Sequence, residues 1–349
     1  MSAIQQGTPA PTGRSNWRKL SPDEYSIVWF CATKEEAEAA KAILDERHKP
    51  PTLSAHSETT FDYGTIKGDH TSHNAVVVRP TASGKANIVH AASHVKQNFP
   101  NLYWAFFVGI AGGLPDLAYK DDPANSIERG DVVIGCAKYN FPAVIQHDYA
   151  EVRGANNHRT KHVADKTAGH LQSLFDHWFA DFEEDYENGE TTRAQQILES
   201  LTKKSPKFAA PAEQEDVLFQ SSQEHQGPEG DCSMCLERFQ HYRRRSKTRV
   251  GETYPIKLHC GLVLTGDGLL KSAEVRGALK SRYNTALCVE MESAVLMDNW
   301  HPLIIRGISD YADSHYGWKW VYYAAAAAAA VAKDMIIGMQ QNYPHLASE

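Results

Sequence analysis

Two short segments hold the side chains best suited to chemistry. Val289-Glu290-Met291-Glu292-Ser293-Ala294 brings two carboxylates, and about fifteen residues later Ile305-Arg306-Gly307-Ile308-Ser309-Asp310-Tyr311-Ala312-Asp313 brings a hydroxyl beside two more. The first segment opens a helical stretch continued by Ala294-Val295-Leu296-Met297. The second ends an apolar run, Pro302-Leu303-Ile304-Ile305, that reads as a short buried strand. Open α/β sheets bind ligands outside the carboxyl ends of their strands. Both segments are therefore expected at one sheet edge, where carboxyl groups can exchange protons with a bound molecule. Each residue also has a plainer structural reading. Asp310, Ser309 and Asp313 are good turn caps, and Glu290 and Glu292 suit the positive end of a helix dipole.

The elements that must position these residues are legible from periodicity. Ile27-Val28-Trp29-Phe30-Cys31 reads as a buried strand, and residues 34 to 47, with Ala37, Ala40, Ile43 and Leu44 on one face, as a helix. Further strands are expected at 61–66, 75–78, 103–108, 132–136 and 257–264, with helices at 86–97, 272–283 and 322–340. The last helix contains the run Ala324 to Ala330, which favours close packing rather than low complexity. This alternation predicts an α/β fold of three layers, α/β/α, with a central mixed sheet. Residues 1–24 read as a flexible leader, 25–341 as the domain and 342–349 as a tail. Between about 181 and 252 a polar insertion is expected, partly helical and mostly solvent-facing, ending in the basic run Arg243-Arg244-Arg245-Ser246-Lys247.

Composition narrows the class of partner. A formal charge of −7 over 349 residues and a pI near 6.2 imply neither a nucleic acid nor a membrane as partner, and a small molecule fits better. Cys31, Cys136, Cys260 and Cys288 lie in or beside apolar runs and read as buried free thiols. Cys232 and Cys235 have C-x-x-C spacing, but without a second pair or a nearby histidine pair they read as a surface loop, and no metal is expected. The start of the chain lacks the apolar core of a signal peptide, and no run of about eighteen apolar residues is evident. A cytoplasmic, reducing location is the expectation.

A glycine-rich turn completes the candidate site. Phe107-Val108-Gly109-Ile110-Ala111-Gly112-Gly113-Leu114 runs from a strand into glycines that let backbone groups approach a ligand, with Ile110, Ala111 and Gly112 as the contacts. Taken in order with Arg129-Gly130-Asp131-Val132-Val133 and the two carboxylate segments, it resembles the purine nucleoside phosphorylase and nucleosidase superfamily. The resemblance covers roughly residues 25 to 340 apart from the insertion. It implies a nucleoside phosphorylase-like fold, no cofactor, a purine nucleoside or nucleotide as ligand, and a homo-oligomer. Carried onto this sequence, it makes Asp310 the acid at the purine base with Ser309 beside it. Glu292 and Met291 become the ribose clamp.

Three further segments bear on the reaction. Cys31-Ala32-Thr33-Lys34-Glu35-Glu36 resembles the start of methylthioadenosine/S-adenosylhomocysteine nucleosidases, which implies that Glu36 activates water; Glu35 is the neighbouring alternative, and a helix-dipole role the structural one. Phosphorylases of the superfamily hold phosphate with an arginine before the glycine turn and a hydroxyl within it. Phe107 and Ile110 occupy those places here. Val77 to Asn87 resembles the second glycine loop, with Gly84 and Asn87 the best matches and Arg79, Ser83 and Lys85 as possible phosphate donors. Thr265-Gly266-Asp267-Gly268-Leu269-Leu270 resembles a base-binding segment, with Leu269 or Leu270 as an apolar contact. Gln146-His147-Asp148-Tyr149 resembles a stretch of fungal proteins with this domain, with His147 read as a loop residue. The leading expectation is a purine N-ribohydrolase. The alternatives are a phosphate-dependent phosphorylase and, in another class, a nucleoside-sensing or interaction module without turnover.

Overall fold

Residue-by-residue alternation explains the layering. Ile27 and Trp29 share one core with Phe106 and Val108, whereas Val28 and Phe30 share a second core with Ala105 and Phe107. Successive strand residues face opposite sides, so apolar residues at every position mean that helices cover both faces. Helices Lys34–Ile43 and Val321–Ile337 cover the first face; Lys85–Asn98 and Ser293–Met297 cover the second. The α/β/α architecture is as expected. The computed structural model describes residues 16–53, 59–116, 127–137, 142–148, 150–154, 157–160, 167–212, 216–239, 241–243 and 251–339. The expected tail, Tyr149 and most of the basic run lie outside these.

Among the described residues, eleven strands form one mixed sheet. Ile27–Phe30 lies parallel between Ser72–Pro80 and Trp104–Gly113. The latter, the glycine strand, pairs parallel with Leu303–Asp310 and antiparallel with Ala286–Glu290. Leu258–Thr265 and Val132–Gly135 then complete a circuit back to Leu303–Asp310. Half of the sheet is thus a closed ring of five strands, and closure removes free edges. The alanine helix lies directly on it: a Cβ at Gly307 would strike the backbone of Ala324, so only glycine permits this approach.

Several expectations are corrected. Order starts before Tyr25, because Arg18–Lys19 pairs with His48–Lys49 and Leu20 is buried; of the expected leader, residues 1–15 lie outside the described residues. The first helix stops at Ile43, and Glu46–Lys49 turns into a strand against Thr59–Lys67. Within the insertion, helix Arg193–Lys204 buries Ala194, Leu198 and Leu201, spaced i, i+4, i+7, against the first core. Its first turn docks on Asp334 of the alanine helix, whose Oδ2 accepts the Ala194 N–H at 3.1 Å. Most described residues of the insertion are exposed, as expected, but its polar composition masks one amphipathic stripe.

Two of the cysteines expected as free thiols are paired. Cys136, just after strand Val132–Gly135, and Cys260, on the neighbouring strand, have Cα atoms 5.8 Å apart and form a disulfide, whereas Cys31 and Cys288 are free and buried. The segment Trp318–Ile337 is long and apolar enough to cross a membrane, against the expectation of no such run, but 89% of it is buried within the fold. It is a core helix.

Candidate active site

Strand register assembles the site along the glycine strand. Arg306 lies beside Gly109, Gly307 beside Ile110, Ile308 beside Ala111 and Asp310 beside Gly112. On the other side Val289 pairs antiparallel with Gly112, so Glu290-Met291-Glu292 runs back along the same turn. From Gly109 to Gly112 the strand advances roughly 10 Å. The two sequence segments therefore meet one turn from opposite directions.

At the Gly109 end, charged groups crowd together. Glu36 is buried, with Oε1 accepting the Ile110 N–H at 2.9 Å and Oε2 accepting the N–H groups of Ala32 and Thr33 at 2.6 and 3.0 Å. Thr33 Oγ1 accepts the Glu36 N–H in return, which closes a capping box at the helix start, and the same carboxylate reaches the glycine strand. A Cβ on Gly109 would strike both the Glu36 carboxylate and the Arg306 guanidinium, so glycine makes room for their approach. Arg306, 1% exposed, donates to Glu290 Oε2 at 3.0 Å and lies 3.7 Å over the Phe107 ring. Glu290 also accepts the N–H groups of Glu292 and Ser293 at the start of helix Ser293–Met297.

Three carboxylates around one guanidinium leave excess negative charge, which a buried cluster relieves by holding a proton. Burial, reinforced by the charges of Glu290 and Glu36, pushes Glu292 up to about 7, against the pull of Arg306 and a hydrogen bond from the Gly84 backbone. Burial also raises Glu36, opposed by Arg306 and its three amide donors. Such an end can hold hydroxyl groups and stabilise positive charge developing on a ligand.

At the Gly112 end, Asp310 stands among mostly neutral donors. Its Oδ1 accepts the Ala312 N–H and its Oδ2 the Ser309 hydroxyl, both at 2.8 Å. Burial raises the Asp310 carboxyl, opposed by these two bonds and by the charge of Arg129. A buried carboxyl with a raised pKa can deliver a proton. Asp313 is a structural residue: it caps the His315 N–H at 2.9 Å and pairs with Arg276 at 3.0 Å.

The remaining candidates divide. The Gly84 loop reaches Glu292 through its backbone, and Lys85 bridges to Asp267 at 2.5 Å, tying that loop to the Thr265–Leu270 segment. Lys85 is thus paired, with a side chain only 17% exposed, and is not an ordinary surface lysine. Arg79 bonds the Pro80 carbonyl and Thr60. Met291 is half-buried beside Glu292. Leu269 is 55% exposed, and Leu270 packs against a satellite core. His147 seats its ring where a Cβ of Gly266 would be, as a packed loop residue. Two residues had no role in the sequence reading: Arg306, legible only as part of a motif, and Tyr316. Burial and then the charges of Asp310 and Glu35 raise Tyr316 to about 12, which places its ring near both.

The model of the phosphorylase superfamily matches residues 26–336. The chain belongs to this superfamily. Among solved superfamily-like folds, the 5'-methylthioadenosine/S-adenosylhomocysteine nucleosidase of Neisseria meningitidis, in complex with methylthio-immucillin-A, aligns with a TM-score of 0.52 at 16% identity, covering 90% of this chain and 99% of that one. The corresponding nucleosidase of S. pneumoniae, with a transition-state inhibitor, gives 0.52 at 18%, covering 90% and 100%. Futalosine hydrolase of Helicobacter pylori gives 0.50 at 16%, covering 90% and 98%. At these identities the likeness establishes the fold. A nucleotide-binding leucine-rich repeat (NLR)-like protein of Hyaloscypha variabilis is 30% identical over 345 residues, 93% of this superfamily member but 31% of that relative, so the chain spans about a third of the relative's length.

Proposed function

We propose that this chain hydrolyses the N-glycosidic bond of a purine nucleoside or nucleotide, releasing free base and ribose or ribose phosphate. The observation that carries the reading is the placement of Asp310 at one end of the glycine turn and of Glu36 with Glu292 at the other. In this reading Glu292 accepts hydrogen bonds from the ribose hydroxyls, Met291 lies beneath the sugar, and the backbone of Ile110 to Gly112 lines the base. Protonated Asp310 donates to the purine N7 while the bond from sugar C1' to the base breaks and its electron pair passes to the base. Water adds to C1', and its proton goes to Glu36. The positive charge that builds on the sugar is stabilised by the negative cluster, which binds it more tightly than the neutral substrate.

Water rather than phosphate is supported by charge. Phe107 and Ile110 have no side-chain donor, and Arg306 is committed to Glu290 and the Phe107 ring. A phosphate dianion would meet carboxylates instead. The test is release of free base from adenosine, inosine and ATP, with and without phosphate. Release without phosphate is expected, and strict dependence on phosphate would make the chain a phosphorylase. A second reading, a nucleoside-binding module without turnover, draws support from the NLR-like relative. Nucleoside binding by calorimetry with no base released would establish it.

A further inference from the structure

Away from the glycine strand, the C-x-x-C pair expected in a surface loop is not one. Cys235 is fully buried in the short helix Ser233–Arg238, and Cys232 is half-buried beside it. Folding brings two histidines to them, His225 from the insertion and His315 from the loop that follows Asp310. The ligand atoms of His225, Cys235 and His315 all lie within 4.8 Å of one another. His225 Nδ1 is 3.5 Å from Cys235 Sγ and 3.8 Å from Cys232 Sγ.

We propose that His225, Cys232, Cys235 and His315 bind a structural zinc ion that staples the insertion to the loop following Asp310. Zinc takes two sulfurs at ~2.3 Å and two nitrogens at ~2.0 Å in a tetrahedron, which sets sulfur and nitrogen about 3.5 Å apart. The contacts of His225 fall close to that value. The tautomer also fits: His225 Nε2 faces the Pro228 carbonyl at 3.0 Å and donates to it, so Nδ1 turns a lone pair toward the two sulfurs. The Gln226 N–H points at Cys235 Sγ at 3.3 Å, a donor suited to a thiolate.

His315 supplies the independent observation. It is 3% exposed, and neither ring nitrogen has a hydrogen-bond partner among the described residues. Leaving a buried imidazole unsatisfied is costly, and a metal bond removes that cost. Phe219 stacks on the ring at 3.7 Å and fixes its plane, and Asp313 Oδ1 lies 3.8 Å from Nδ1 as an outer partner. On binding, each thiol gives its proton to solvent, so two thiolates balance the dication. The backbone N–H of His225 already donates to Ser314 Oγ at 2.9 Å, joining the same two segments that the metal would clamp.

The test is elemental analysis of the full chain purified without added metal or chelator. One zinc per chain is expected, lost in Cys235→Ser and in His315→Ala, and kept in Cys288→Ser, a buried cysteine of the sheet core. Should the ligand variants not fold, wild-type protein stripped with chelator and titrated with cobalt(II) gives the reading. Intense visible bands of tetrahedral cobalt with a thiolate charge-transfer band, and a thermal midpoint that falls on stripping and returns with zinc, are expected. Absence of both stoichiometric zinc and the cobalt bands overturns the proposal, as does full zinc retention in a folded Cys235→Ser. None of these readouts depends on base release.

Discussion

At the Gly109 end of the glycine strand, Glu36, Glu290 and Glu292 crowd around the single guanidinium of Arg306, whereas at the Gly112 end Asp310 accepts from an amide and a hydroxyl. Both ends are buried, and burial raises the carboxyls of Glu36 and Glu292 at one end and of Asp310 at the other. The causes differ. Burial is reinforced by neighbouring carboxylates at Glu292, while at Asp310 it works chiefly alone against local hydrogen bonds. One strand thus supports a negative pocket suited to a sugar turning cationic and, about 10 Å away, an acid suited to a leaving base.

The contrast can be broken most severely at Asp310. Asp310→Asn should lower kcat for base release by about 10³-fold with little change in nucleoside binding, because the amide cannot donate an acidic proton. Steady-state kinetics with a parallel calorimetric Kd decides it, and full activity removes Asp310 from the mechanism. A smaller loss, about 10²-fold in kcat, is expected for Glu36→Gln, which retains an acceptor but not a base. Equal losses in kcat and in thermal stability would instead mark Glu36 as a helix cap only.

Glu292→Gln should have the smallest effect, about tenfold in kcat/KM, since it weakens one charge-assisted bond. It sharpens the comparison through pH. Between the ordinary carboxyl value of 4.5 and about 7, the folded chain holds a proton that the unfolded chain has released. Stability therefore falls as pH rises through that window and levels off above it. Thermal midpoints measured across the window should show this slope in the wild type and lose part of it in Glu292→Gln. The acid limb of kcat/KM, where ionised Glu292 accumulates, should flatten in the same variant.

Legibility followed locality. Helix Lys85–Asn98 and strand Ser72–Pro80 are near where periodicity placed them, and both carboxylate segments flank the glycine strand. The docked face of the insertion is not legible in the sequence, because Ala194, Leu198 and Leu201 are diluted by Gln, Glu and Lys, which hide a stripe of three residues.

The sequence by itself determined the layered α/β class, the order of the motifs and the residue types at each end of the glycine turn, because strand alternation, helix periodicity and motif spelling are local properties of the chain. Only the tertiary structure decided which groups share a dielectric and a proton. Glu36 meets Ile110 across 74 positions, Arg306 meets Glu290 across 16, and His315 meets Cys235 across the insertion boundary. Charge pairing and metal ligation depend on distances of a few ångströms, and strand register and helix docking set those distances.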